Sequence, residues 1–140
     1  MTATPEATAL ALTAAQAAAD KLATEVAILD VSEHLVITDC FVIASAPSER
    51  QVKAIVDSIE EALLLVGRKP VRREGQSDGR WVLLDYMDVV IHAQHAEERA
   101  FYALERLWKD CPVIPFVDKD KALHQEQLKA QESSIESSYR

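Results

Sequence analysis

A chain of 140 residues, 49% hydrophobic and 27% charged, has the length and balance of one folded domain, which excludes a disordered polymer and leaves no material for a second core. Its 23 acidic and 15 basic side chains give a formal charge of −8, so the surface field repels a phosphate backbone. Direct nucleic-acid binding is therefore disfavoured, and a basic protein partner is favoured.

Cys40 and Cys111 do not make a disulfide framework, since one sits in a strand-like run and the other before a proline. The N-terminal stretch lacks Lys or Arg in its first residues and carries Glu6, unlike a signal peptide. No apolar run reaches about 18 residues, so no membrane span is expected. These features together predict a protein of the reducing cytoplasm.

Taken along the chain, Thr4-Pro5-Glu6 reads as helix cap, first-turn proline and first-turn acid. The Ala-rich helix that follows runs to Lys21, with Leu10, Ala14, Ala17, Ala18 and Leu22 as a shallow apolar stripe. Thr13 with Gln16 offers a second capping box, which leaves the start open. The runs EVAILDV and TDCFVIASA predict two strands, the second central because it is nearly all apolar. Ser48 and Gln51 then open the clearest helix. Val52, Ile55, Val56, Ile59, Ala62, Leu63 and Val66 form its stripe, and Gly67 stops it.

PVRREG and the turn Ser77-Asp78-Gly79 predict a third strand paired with a fourth as a hairpin. The stretch from Arg80 to Gln94 contains no Gly or Pro, yet strands average about 5–6 residues, so a break is placed at Asp85-Tyr86-Met87-Asp88. EERAFYALERLWKD reads as one last helix with Ala100, Phe101, Leu104, Leu107 and Trp108 facing the sheet. The resulting order predicts an α/β domain with a single mixed sheet of about five strands flanked by helices. Residues 1–117 form the expected domain, and 118–140 a charged mobile tail or frayed helix.

A mixed sheet with a helix following ASAPS resembles the nucleotidyltransferase fold, whose chemistry needs two acids converging on one metal. The only Asp-x-Asp is Asp118 with Asp120, in the tail, while Asp85 and Asp88 straddle a turn. A small metal-dependent nucleotidyltransferase or nucleotide-binding protein is thus the alternative reading. His92 and His95 are three apart on a strand and face opposite ways, so they cannot share a zinc; His92 reads as a hydrogen-bonded core or edge histidine. No cofactor or metal is expected. Trp81 admits two readings: a strand tryptophan packed on a helix, or, with Arg80, Asp85, Tyr86 and Asp88 around it as exposed aromatics and acids, a hot spot for a basic partner.

The segments TDCFVIASAPSERQVKAIVDSI, EGQSDGRWVLLDYMDVVIH and ERAFYALERLW, in that order, resemble the ribosomal silencing factor family, also called Iojap, over about Leu10 to Trp108. The resemblance implies a nucleotidyltransferase-like core without catalytic acids. It also implies a non-enzymatic repressor that binds large-subunit ribosomal protein fourteen, blocks subunit joining when nutrients are short, and can form a homodimer when free. Carried over by motif, Trp81, Asp85, Tyr86, Met87 and Asp88 fall at the partner surface, with Arg80, His92, Arg99, Tyr102 and Glu105 in support. The chain departs from the family pattern at Ala46 and Met87, where glycines are usual, and at the strand end AQH. Met87 matters most, because a residue with a Cβ does not readily take φ > 0.

Overall fold

The computed structural model describes residues 2–120 and 129–131. Helix α1 (Pro5–Asp20) starts where Thr4 Oγ1 accepts from the Ala7 N–H at 3.1 Å, which settles the choice between the two candidate starts. It ends before Leu22, which takes φ 61° and is exposed instead of continuing the stripe. Strands β1 (Glu25–Asp30) and β2 (Cys40–Ala46) pair antiparallel, and every β2 residue is buried. Helix α2 (Glu49–Leu65) is capped by Ser48 and stopped at Gly67, whose φ is 82°. Of its expected stripe Val52, Ile55, Val56, Ile59 and Leu63 are buried and Ala62 half-buried, whereas Val66 lies past the helix end and is exposed.

β3 (Arg72–Glu74), β4 (Trp81–Asp85) and β5 (Val89–His95) follow, and the order across the five-stranded sheet is β1-β2-β5-β4-β3. β2 and β5 are parallel; the other pairs are antiparallel. The mixed sheet and its break at residues 86–88 match expectation. Gly75 permits the β3–β4 connection, because a Cβ there would collide with the Trp81 carbonyl oxygen.

Strand alternation sorts the side chains onto two faces. Ile28, Val42, Ala44, Val82, Leu84, Tyr86, Ile91 and Ala93 pack under α1 and α2. Leu29, Phe41 and Ile43 point the other way, with Leu104, Cys111 and half-buried Trp81, Val90 and Trp108. The free edge of β1 is covered by the C-terminal segment, through Asp30 N–H to Pro112 O at 2.8 Å and Ile114 N–H to Ile28 O at 2.9 Å.

The last helix differs from its expected form. It is two pieces, α3 (Ala96–Tyr102) and α4 (Leu104–Leu107), broken at Ala103 with φ 45° and ψ 56°. Ala100, Phe101 and Leu107 are exposed; of the expected inward stripe only Leu104 is buried and Trp108 half-buried. The break has a physical reason in Arg99, which is buried and donates through Nε to Glu105 Oε1 at 2.9 Å. In an unbroken helix residues six apart stand about 120° apart around the axis and about 9 Å along it, on different faces. The tail expected from residue 118 lies mostly outside the described residues; its start is tied to α1, where Gln16 Nε2 donates to Asp118 Oδ1 at 3.0 Å.

Candidate partner-binding site

The connection between β4 and β5 is three residues, Tyr86-Met87-Asp88, and Met87 has φ 74°. A left-handed conformation costs a non-glycine residue about 1–2 kcal/mol, so the turn must be held from outside. Asp85 Oδ1 accepts from Met87 N–H at 2.8 Å, and Thr38 Oγ1 donates to Met87 O at 2.9 Å. The N–H groups of Asp39 and Cys40 both donate to Asp88 O, at 2.8 and 3.1 Å. Arg68 Nη2 donates to Tyr86 O at 2.9 Å and to Asp88 Oδ1 at 2.7 Å. The hydrogen bond to Asp88 raises the Arg68 pKa above its ordinary value, so this cation stays charged. With the backbone pinned on all sides, the Met87 side chain projects and is 49% exposed. The adjoining β1–β2 loop adds exposed Val36 and Ile37.

Asp85 and Asp88 flank this tip, and each already meets a cation of its own chain: Arg72 at 3.7 Å and Arg68 at 2.7 Å. Trp81 stands at the far end of β4, about 13 Å from Asp85 at strand rise. The turn residues are therefore brought together, and Trp81 belongs to a second patch. Its indole Nε1 donates to His92 Nδ1 at 3.1 Å, and its ring lies 4.8 Å from that of Tyr102. Burial pushes the His92 pKa down to about 4, so the imidazole is neutral at pH 7 and free to accept. Among the described residues the ring contacts run on without a gap from His34 through Trp108, Phe41, His92, Trp81 and Tyr102 to exposed Phe101.

Tyr86 departs from the exposed aromatic expected here. It shares the parity of Val82 and Leu84, so its ring enters the face under α2 and is 1% exposed. Burial raises its pKa to about 12, and its hydroxyl has no partner among the described residues. Trp81, Asp85, Met87 and Asp88 keep accessible surface; Tyr86 shapes the turn from inside.

The expected supporting residues bind elements together. Arg80 reaches Glu49, Glu97 and Glu98, each at 2.9 Å, which ties the start of β4 to α2 and α3. Arg99 Nη1 donates to Glu25 O at 2.7 Å and Ser45 Oγ at 3.1 Å, anchoring α3 to the sheet. His92 and His95 do separate work, as their spacing required: His95 Nδ1 caps α3 by accepting from Glu97 N–H at 3.1 Å. Arg68 and Thr38 were not singled out in the sequence. Nothing local marks them, because Arg68 lies twenty positions before Asp88 and Thr38 forty-nine before Met87. The Asp118-Asp120 pair does meet a third acid, Asp20, with oxygens within 4.8 Å, but all three are exposed or half-exposed and lie outside the turn and the Trp81 patch.

A family model described as "Ribosomal silencing factor during starvation" matches residues 4–139, further at both ends than the three motifs. The ribosomal silencing factor RsfS of Halalkalibacterium halodurans is 41% identical over 101 residues, 72% of this chain and 86% of that protein. That of Bacillus subtilis is 39% identical over 100 residues, covering 71% and 85%. A crystal structure of a Chromobacterium violaceum protein superposes with TM-score 0.68 at 34% identity, covering 74% of this chain and 84% of that one. Family match, identity and shared architecture agree: the chain belongs to the ribosomal silencing factor family.

Proposed function

We propose that the protein represses translation by docking the β4–β5 end of its sheet on ribosomal protein fourteen of the large subunit and so excluding the small subunit. Family membership supports the ribosomal role. The observation that carries the choice of surface is the Met87 tip, a strained turn braced from four directions that presents one adaptable side chain between two acids. Met87 supplies the apolar anchor, Asp85 and Asp88 steer and orient a basic surface, and Trp81 with Tyr102 extends the contact along the half-open face. No chemical step is needed: a bound body on the joining surface suffices if it outcompetes the local contacts of the other subunit. A dissociation constant of about 1 μM corresponds to about −8 kcal/mol.

Co-sedimentation of the purified chain with isolated large subunits, followed by addition of small subunits, tests this. The expected result is binding that weakens as salt rises, together with loss of joined ribosomes. Absence of binding at low salt overturns the reading. The same half-open face suits a homodimer of the free protein, and sedimentation mass across concentrations would reveal a dimer that large subunits dissociate.

A further inference from the structure

β2 and β5 are adjacent and parallel, and the helices that follow them leave for opposite faces of the sheet: α2 joins α1 over one, and α3 packs on the other. This is a topological switch point, where open α/β sheets place ligands in the crevice outside the carboxyl ends of the strands. A cavity of about 440 Å³ lies there, within the size range of small-molecule sites. It is at the opposite end of the sheet from the Met87 turn, because the strand ends Ser45 and His95 are far in register from Cys40 and Val89.

The lining carries equal numbers of opposite charges: Arg99 and Arg106 against Glu25 and Glu105, with Thr24 and Ser45 between. Arg99 is buried, and two of its three guanidinium nitrogens are engaged, Nε by Glu105 and Nη1 by the Glu25 carbonyl and Ser45. Nη2 has no hydrogen-bond partner among the described residues. Arg106 is exposed and has no ion-pair partner among them, and the Glu25 carboxylate, 70% exposed, lies 3.6 Å from Arg99 Nε with its other oxygen open to solvent-side ligands. Buried polar groups are almost always satisfied, so the open Nη2 of buried Arg99 is unused binding capacity at the cavity wall.

We propose that this cavity binds a free α-amino acid, its carboxylate on Arg99 Nη2 and Arg106 and its ammonium on Glu25 and Glu105. The balanced lining favours a ligand of zero net charge, and the chain's charge of −8 disfavours a polyphosphate. The inference stands apart from the ribosomal reading, since none of these contacts touches the turn.

The experiment is calorimetric titration of the full chain with L-leucine, L-glutamine, L-aspartate and L-lysine, each beside its N-acetyl and methyl-ester forms. Saturable heat is expected from at least one free amino acid and from neither blocked form. Arg106→Gln should weaken that binding about tenfold or more, and Ala100→Trp, which fills the cavity from an exposed position without touching the Arg99 bonds, should abolish it. Silence from all four amino acids overturns the proposal. So does equal binding of a blocked form, heat unchanged in folded Ala100→Trp, or magnesium-dependent ATP binding that this substitution removes.

Discussion

The two faces of the sheet contrast in what they bury. Under α1 and α2 the contacts are almost wholly aliphatic, and six alanines of α1 let the helix sit close enough for Ser58 Oγ of α2 to donate to Ala17 O at 3.0 Å. The opposite face is covered only in part. It buries His92, Gln94 and Arg99, leaves Phe101 exposed, and holds Trp81 and Val90 half-buried. One face stabilises the fold by close packing. The other carries polar groups and loosely covered aromatics that cost stability and are suited to recognition.

Ile59→Ala probes that division most severely. Ile59 is completely buried among α1 and sheet residues, so its truncation should cost about 2–5 kcal/mol in urea denaturation while the folded fraction keeps its affinity for large subunits. A comparable loss of affinity in folded protein would show that the faces are coupled. On the other face, His92 makes stability depend on pH. Its folded pKa, about 4, lies below the ordinary value, so the unfolded chain binds the extra proton. The contribution is fully present above about pH 6.5 and is lost as the pH falls toward 4, by about 3 kcal/mol in all. Urea titrations at several pH values should show this slope, and His92→Gln should remove its part of it.

These two residues also show what could be read in advance. Ile59 was legible from helical spacing, and the parity of His92 and His95 settled that they do not share a ligand. The sheet, its hairpin and the turn at residues 86–88 followed from strand length and turn chemistry. The last helix did not, because apolar spacing alone cannot report a buried Arg99–Glu105 pair that needs the backbone to break at Ala103. Tyr86 was misplaced for a related reason: its neighbours Asp85 and Asp88 suggest a surface, but strand parity with Val82 and Leu84 sends the ring inward. The bracing by Arg68 and Thr38 is long-range and exists only once the chain has folded.

Trp81→Ala sharpens the contrast on the half-covered face itself. If the aromatic patch contributes as proposed, affinity for large subunits should fall by about 2 kcal/mol or more, with near-normal circular dichroism. Tyr102→Ala should cost less, since its ring packs over Trp81 from an exposed position. Unchanged affinity in folded Trp81→Ala would confine recognition to the turn.

The smallest expected change in stability separates strain from contact at that turn. Glycine takes φ near 74° without a Cβ penalty, so Met87→Gly should relieve part of the left-handed cost. The unfolded chain gains freedom from the same substitution, which offsets some of the gain, and a net stabilisation of up to about 1 kcal/mol is expected. Binding should move the other way, because the projecting thioether is gone while Asp85, Thr38 and Arg68 still hold the backbone. Opposite signs in the two measurements identify Met87 as a side chain kept in a costly conformation for the contact it makes. A variant more stable and equally tight in binding would leave the two acids as the recognised feature and reduce Met87 to a tolerated substitution.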